Sequence, residues 1–282
     1  MSRDPVSAAR ELLGVDPEHV DPLVVFADRG AYKVRIGDDM FVVKTDDDPR
    51  TTRNEIAGLR RARSAGVRVP ELVAVADGAL AMRWADGVTL RDRATADAWR
   101  DTGREIRLTH GVGGGPPFGT GFGGFNPSRP DWRSFFELFA DTMLADCERD
   151  LGLPRADGER IRAALRAAPG LDTPHVVWCH GDLQPEHVLV DPATDRVTAI
   201  IDWADHGTGD CVWDIAVLTI DDPQHRDAFL HGYGATAAQH DALDALLPLY
   251  AVVRLAGEAG WFADHGFPYA DNLRRVQEWR PG

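Results

Sequence analysis

The feature that most constrains the fold of this chain is a pair of short apolar runs with an aspartate outside each end. Residues 188–190 and 197–201 are rich in β-branched side chains, and residues 191–195 between them contain the turn formers Asp and Pro. This pattern predicts a β-hairpin. Because a hairpin brings its two ends together, we expect Asp182 and Asp202 to face one cleft, where a divalent ion can offset their repulsion.

The residues around these aspartates match the layout of a phosphotransfer loop. In such a loop a first Asp takes the proton of the acceptor hydroxyl, a residue five positions later helps to hold a metal ion, and a later Asp binds the Mg²⁺ that bridges the nucleotide phosphates. Those positions are Asp182, His187 and Asp202. A single aspartate is usually a turn cap, but two that flank a hairpin, the first preceded by His180 and Gly181, favour catalysis.

These motifs resemble the family of aminoglycoside phosphotransferases and choline-kinase-like small-molecule kinases. The family pattern of His-Gly-Asp, Ile-Asp-Trp, Gly-Asp and a further Asp before an apolar helix is matched at residues 180–182, 201–203, 209–210 and 214–216. The family's Asn five residues after the first Asp is replaced by His187, as in macrolide phosphotransferases. The resemblance implies that His187 and Asp202 hold Mg²⁺, with Mn²⁺ as the alternative because imidazole suits softer ions.

The resemblance also implies an α+β, bilobal, protein-kinase-like fold. Residues 1–83 would form a small mixed α/β N-lobe that binds the nucleotide. Residues 84–282 would form a larger, mainly helical C-lobe with the catalytic loop, the metal site and the acceptor-binding helices. Apolar residues at helical spacing in the C-terminal half agree with this division, and Pro248 is expected to interrupt the helix predicted over residues 239–264.

A nucleotide site is predicted in the N-terminal half. Lys44 ends the strand predicted over residues 40–44, and it is one of only two lysines in the chain. By resemblance it would contact the α- and β-phosphates of ATP or GTP. Glu55 follows eleven residues later on an amphipathic helix, at the family's spacing for the partner of this lysine.

Three further residues are assigned to the nucleotide by resemblance. Gly30 is the glycine of a strand, turn and strand over residues 26–36, where the family has its phosphate-covering loop. Met82 and Trp84 begin the segment that resembles the hinge between lobes, whose main chain would contact the base.

A second glycine pattern is not a dinucleotide fingerprint. Residues 119–124 fit G-x-G-x-x-G, but prolines lie on both sides, whereas a Rossmann fingerprint needs a strand before it and a helix after it. Residues 111–130 are better interpreted as a Gly/Pro-rich loop, either a cover over the acceptor site or a plain linker.

The charge of the chain restricts its partners. A net charge of −14 argues against nucleic acid or an anionic membrane surface and suits a cationic acceptor. Carboxylates beside aromatic rings can bind such an acceptor through charged hydrogen bonds and cation–π contacts. The candidates, in segments that line the acceptor site in the family, are Asp205, Glu258, Trp261 and Asp264.

The remaining composition suits a cytoplasmic enzyme. The three cysteines are scattered, so a disulfide framework is not expected. The N-terminal residues lack an apolar export region, and no segment has the length needed to cross a membrane.

Together these observations predict a nucleotide-dependent O-phosphotransferase that modifies a hydroxyl of a small, cationic antibiotic and thereby confers resistance. Charge favours an aminoglycoside or a basic peptide of the capreomycin and viomycin type, whereas His187 favours a macrolide. The alternatives are a housekeeping kinase for choline, a sugar or an amino acid, and a catalytically weak protein that sequesters its ligand.

Overall fold

The computed structural model describes residues 3–119 and 128–281. The strands in these residues are β1 (His19–Val25), β2 (Arg29–Ile36), β3 (Asp39–Asp46), β4 (Leu72–Ala76), β5 (Ala79–Arg83), β6 (Val88–Thr89), β7 (Val176–Cys179), β8 (Val188–Asp191), β9 (Arg196–Ile200) and β10 (Gly207–Asp210). The helices are α1 (Pro5–Leu13), α2 (Pro49–Ser64), α3 (Ala96–Gly111), α4 (Trp132–Asp150), α5 (Arg155–Ala167), α6 (Cys211–Thr219), α7 (Arg226–Tyr233), α8 (Ala237–Asp264) and α9 (Ala270–Glu278). The chain forms two compact units, each built from three stretches of sequence. The lobe boundary at residue 83 stays a prediction.

The first unit comprises residues 1–111, 184–206 and 225–234. Its main sheet is antiparallel, with the strand order β1-β2-β3-β5-β4. Helix α1 covers one face with Ala8 and Ala9, and the strand residues that pack there are Tyr32, Val34, Phe41, Val43 and Ala81. Because side chains alternate along a strand, Lys44 lies on the opposite face from Val43.

The hairpin predicted from the sequence is confirmed. Strands β8 and β9 pair antiparallel, and β6 adds to the β8 edge. Asp191 organises the turn, because its side chain accepts a hydrogen bond of 2.8 Å from the amide of Ala193. Asp195 adopts a positive φ of 56°, which Asp tolerates better than most residues.

The second unit comprises residues 112–183, 207–224 and 235–282. It is mainly helical, with β7 and β10 as a short antiparallel pair. Aromatic rings fill its core, and the indole of Trp132 donates a hydrogen bond of 2.7 Å to the hydroxyl of Tyr250. That hydroxyl donates in turn to Asp210, at 2.9 Å. Asp210 caps α6 by accepting from the amide of Val212.

Helix α8 is continuous, so the interruption predicted at Pro248 is wrong. Thr236 and Gln239 start the helix with a reciprocal capping box. Leu246, Leu249 and Tyr250 are buried on both sides of the proline, and their packing outweighs the loss of one backbone hydrogen bond. Within the described part of the chain, none of the helices has the length and apolar character that a membrane span requires.

Residues 120–127 of the Gly/Pro-rich loop lie outside the described residues, which stop at Gly119 and resume at Ser128. Phe118 and Arg129, just outside residues 120–127, exchange two backbone hydrogen bonds of 2.9 and 3.0 Å. Whether this loop is a cover or a linker therefore stays a prediction, as does the absence of a dinucleotide fingerprint over residues 119–124.

Candidate active site

Lys44 is held between two carboxylates in the first unit. Its Nζ lies 2.6 Å from Oε1 of Glu55 on α2 and 3.0 Å from Oδ1 of Asp202, the residue that follows the hairpin by two positions. The side chains of Lys44 and Glu55 are only 21% and 6% exposed. Charged groups so poorly solvated are retained when they are paired. The structure thus brings Glu55 to Lys44, although their role towards a nucleotide stays a prediction.

The charges around Lys44 keep it protonated. Burial acts to lower the pKa of Lys44, but the negative charges of Asp202 and Glu55 together outweigh it and raise that pKa above its usual value. Burial also raises the pKa of Glu55, while Lys44 opposes the change. The Lys44 ammonium lies 2.6 Å from the Glu55 carboxylate, so the two groups form a salt bridge. Lys44 is therefore a fixed cation, which is the type of group that binds phosphate oxygens.

Helix α2 packs unusually closely against the segment that follows Asp202. Gly58 lies on the buried face of this helix. A Cβ atom at Gly58 would lie 2.6 Å from Cδ2 of His206, 2.7 Å from Cβ of Trp203 and 2.8 Å from the Trp203 carbonyl oxygen. Because a real Cβ does not approach other atoms this closely, only glycine permits the contact.

Asn54 fastens the same helix to the same segment. Its side-chain amide donates a hydrogen bond to the backbone carbonyl of Ala204. The backbone carbonyl of Asn54 lies 3.1 Å from Nε2 of His206. Because Glu55 is the next residue of α2, these contacts of Asn54 fix the position of Glu55 relative to the backbone that follows Asp202.

Asp202 has a left-handed backbone at the open end of the hairpin. Its φ of 64° and ψ of 63° lie in the left-handed region, which is uncommon for residues other than glycine but which Asp adopts more readily than most. The amide of Ile201 donates a hydrogen bond of 2.9 Å to the carbonyl of His187. This bond keeps the two ends of the hairpin together, and Nε2 of His187 lies 3.6 Å from Oδ2 of Asp202.

These two side chains form a donor set that fits a divalent ion. Neighbouring ligands of a six-coordinate Mg²⁺ lie about 3 Å apart, which is near the 3.6 Å that separates the His187 nitrogen from the Asp202 oxygen. The His187 side chain is 17% exposed and that of Asp202 is 42% exposed, so solvent can complete the coordination. An oxygen and an imidazole nitrogen suit Mn²⁺ as well as Mg²⁺.

The other residues predicted to bind the nucleotide lie in or next to the main sheet. Gly30 lies within β2 and not in the turn before it. A Cβ at this position would lie 2.5 Å from the hydroxyl of Tyr32. Met82 is buried in β5. The amide of Trp84 donates to Met40, and the ammonium of Lys33 lies 4.2 Å from the centre of the Trp84 ring, close enough for a cation–π contact.

In the second unit, helix α6 holds the loop that carries Asp182. The two carboxylate oxygens of Asp214 accept hydrogen bonds of 2.8 and 2.9 Å from the amides of His180 and Gly181. The indole of Trp213 donates to the carbonyl of Gly181, at 2.7 Å. The backbone immediately before Asp182 is therefore fixed by side chains of α6.

The carboxylate of Asp182 contacts a residue that sequence reasoning missed. Nη2 of Arg254, on α8, lies 2.7 Å from Oδ1 of Asp182. Nε of Arg254 donates to Glu258, one turn further along α8, at 2.8 Å. Asn272, on α9, donates to the other oxygen of Glu258, at 3.0 Å. The spacing of Arg254 and Glu258 was a usable signal for their pairing, whereas nothing in the sequence marks Asn272.

The remaining residues predicted to bind the acceptor are divided between the two units. Asp205 ends a short 3₁₀ helix of the first unit and is partly exposed. Trp261 and Asp264 are exposed residues near the end of α8 in the second unit. The Trp261 ring stacks on His265, with 4.1 Å between the ring centres, and lies parallel to Phe267 at 5.7 Å. Their role towards an acceptor stays a prediction.

Comparison with known sequences places these features in context. A family model described as the phosphotransferase enzyme family matches residues 26–249. An aminoglycoside 3'-phosphotransferase of Streptomyces fradiae is 38% identical over 96 residues, which cover 30% of this chain and 35% of that protein. One of Streptomyces ribosidificus is 41% identical over 69 residues, covering 21% of this chain and 26% of that protein. The matched stretches therefore span far less than the full length of these curated relatives.

Comparison with solved structures concerns the fold. A protein described as a fructosamine-3-kinase of Haemophilus somnus 129PT superimposes with a TM-score of 0.72 and 15% identity, covering 97% of this chain and 95% of that one. The ternary complex of APH(2″)-IIa with streptomycin and ATP gives 0.70 and 13%, with the same coverage. The macrolide 2'-phosphotransferase MphH of Brachybacterium faecium gives 0.66 and 17%, with 97% of each chain covered. The predicted α+β, protein-kinase-like fold class is thus confirmed.

Proposed function

Because this chain belongs to the phosphotransferase enzyme family, whose model spans residues 26–249, we propose that it transfers a phosphoryl group from a nucleoside triphosphate to a hydroxyl of a small molecule. The observation that carries the proposal is the contact of Lys44 with Glu55 and Asp202, at 2.6 and 3.0 Å. A partly buried, charged lysine that contacts a carboxylate with an imidazole beside it is an arrangement suited to a nucleotide and its metal ion.

The chemical roles follow from the side chains. Asp182 accepts the proton of the acceptor hydroxyl. At the same time the hydroxyl oxygen of the acceptor bonds to the terminal phosphorus, and the bond from that phosphorus to the rest of the nucleotide breaks. Lys44 binds phosphate oxygens, and Glu55 holds Lys44 in place. Asp214 acts on the backbone, since its bonds to the amides of His180 and Gly181 fix the loop that carries Asp182.

His187 and Asp202 are the residues that would hold Mg²⁺ or Mn²⁺. When bound, such an ion offsets the negative charge that gathers on the phosphate oxygens during transfer. Gly30, Met82 and Trp84 are proposed to line the nucleotide. The choice of ATP has its support in the ATP complex of a protein with the same fold, and GTP is the alternative.

The acceptor that we propose is a cationic antibiotic, with aminoglycosides first. Two aminoglycoside 3'-phosphotransferases match stretches of this chain at 38% and 41% identity, and the net charge of −14 favours a polycation. Asp205, Trp261 and Asp264 are proposed to take part in binding it, whereas both oxygens of Glu258 accept hydrogen bonds from Arg254 and Asn272. A capreomycin-type peptide and a macrolide are the next classes to test.

The test combines the purified protein, ATP or GTP with Mg²⁺, and a panel of acceptors. Kanamycin, streptomycin, hygromycin B, capreomycin, erythromycin, choline and a fructosamine cover the proposed and competing classes. Phosphorylated product should form with an antibiotic, and the gene should protect a sensitive host from that antibiotic. Product from choline or the fructosamine alone would indicate a metabolic kinase, and ligand binding without any product would indicate a sequestering protein.

The variant Asp182→Asn, measured in the same assay, tests the role of Asp182 as general base. A general base contributes about 10²–10⁴-fold to a rate, so kcat should fall within that range. Nucleotide affinity, measured with a fluorescent ATP analogue, should stay unchanged. An unaltered chemical step in single-turnover experiments would remove Asp182 from the proposed mechanism.

A further inference from the structure

We propose that Arg254 is a positioning residue for Asp182, and that Glu258 and Asn272 act on the reaction through Arg254. This inference rests on the proposed function, because it takes Asp182 as the base. All four residues belong to the second unit. They come from the loop before the hairpin, from α8 and from α9, and they form one continuous line of charged and polar contacts.

The first contact orients the carboxylate itself. Arg254 Nη2 and Asp182 Oδ1 are 2.7 Å apart, and the two side chains are only 16% and 17% exposed. A charge-assisted hydrogen bond of this length is strong and directional, and limited solvent access strengthens it further. Asp214 and Trp213 fix the backbone before Asp182, whereas Arg254 acts on the group that would take the proton.

The second and third contacts hold the guanidinium in place. Glu258 lies one turn along α8 from Arg254, and its Oε1 accepts from Arg254 Nε at 2.8 Å. Its Oε2 accepts from the side-chain amide of Asn272 at 3.0 Å. Glu258 is only 16% exposed, and the two contacts together give its side chain a defined orientation. A planar guanidinium held at Nε has little freedom left at Nη2.

The charge balance supports a positioning role. Arg254 places a positive charge between two poorly solvated carboxylates, those of Asp182 and Glu258. Removing it leaves two like charges that repel each other and no longer share a partner. The Asp182 side chain then loses its orientation, even where the backbone stays in place. Arg254 remains protonated throughout, and the hydroxyl proton goes to Asp182.

The central experiment compares Arg254→Met and Arg254→Lys with the native enzyme, using the antibiotic that the acceptor panel selects. A misplacement of about 1 Å can cost about 10²-fold in rate, so Arg254→Met should lower kcat by about that factor and leave the nucleotide KM nearly unchanged. Arg254→Lys should recover part of the lost kcat, because lysine restores the positive charge but not the planar guanidinium with its several N–H donors. Glu258→Gln and Asn272→Ala should lower kcat in the same direction by smaller factors.

A second readout separates positioning from a merely structural role. Added guanidinium ions should raise the kcat of an Arg254→Ala variant and leave the native enzyme unaffected. Nucleotide-binding stoichiometry reports the folded fraction of each variant. Arg274→Met is the control, because Arg274 pairs with Asp271 and Glu278 on the exposed side of α9, and it should keep native kinetics.

The outcomes distinguish this inference from the proposed function. If the native protein phosphorylates none of the acceptors, the proposed function fails and this inference fails with it. If the native protein is active and Asp182→Asn is inactive, but Arg254→Met keeps the native kcat, only the inference about Arg254 is overturned. A loss of kcat in Arg254→Ala that guanidinium does not restore, with a matching loss of nucleotide-binding stoichiometry, would also overturn it.

Discussion

Replacing Gly58 by alanine tests whether the close packing of α2 is what positions Glu55 and Asp202. Alanine is favoured over glycine by about 1 kcal/mol in a helix, so propensity alone predicts a more stable protein. The added Cβ, however, would lie 2.7 Å from Cβ of Trp203 and 2.8 Å from its carbonyl oxygen. Neither atom can rotate away, and overpacking of this kind costs about 1–3 kcal/mol.

The two effects predict a net loss and a displaced site. We expect Gly58→Ala to lower the free energy of unfolding by up to about 2 kcal/mol, because an overpacking cost of about 1–3 kcal/mol is offset by a gain of about 1 kcal/mol in helix propensity. The added Cβ lies 2.8 Å from the Trp203 carbonyl oxygen, and an ordinary contact is 3.4 Å. To reach that distance, α2 and the backbone after Asp202 must separate. Since a 1 Å misplacement can cost about 10²-fold in rate, a shift of roughly half that size should lower kcat about tenfold.

Urea unfolding and steady-state kinetics measure both quantities, with two controls. Gly111→Ala adds a Cβ at the end of helix α3, where, among the described residues and apart from the adjoining backbone, no atom lies within 4 Å, so it should be neutral or slightly stabilising and fully active. His206→Ala combined with Gly58→Ala should not rescue the single variant, because the overlap with Trp203 remains. If Gly58→Ala matches Gly111→Ala in stability and activity, the docking of α2 does not set the geometry of the site.

Three further predictions concern ligands. Lys44→Ala should raise the nucleotide KM strongly and leave acceptor affinity unchanged. Lys33→Ala, the control, should have little effect on either. A larger effect of Lys33→Ala in nucleotide titrations would show that the wrong lysine was assigned to the phosphates. His187→Asn should shift the metal preference in activity titrations from Mn²⁺ towards Mg²⁺, since an amide oxygen is a harder ligand than an imidazole nitrogen. An unchanged preference would mean that His187 does not bind the ion. If Asp205 and Asp264 bind ammonium groups, the acceptor KM should rise with NaCl concentration because exposed ion pairs are screened, whereas a salt-independent KM would indicate an apolar pocket.

The sequence by itself determined the features that depend on neighbouring residues. The hairpin was predictable because β-branched runs and turn formers act over a few residues, and the register of β8 and β9 then brings His187 near Asp202. The pairing of Lys44 with Glu55 was implied by the resemblance to the kinase family, because this chain keeps the family's spacing between the strand lysine and its helical partner; β3 itself continues two residues past Lys44. A proline is a local signal too, yet at Pro248 packing overrode it.

Only the tertiary structure decided the contacts that join distant segments. The sequence gives no measure of how near α2 approaches the residues after Asp202, so it could not show that Gly58 must lack a side chain. It likewise could not show that Glu258, predicted to meet the acceptor, holds Arg254, or that Arg254 meets Asp182. Charged side chains of similar type occur throughout this chain, and which of them pair depends on sub-ångström packing of helices far apart in sequence. That packing is set by the whole core and not by any local pattern.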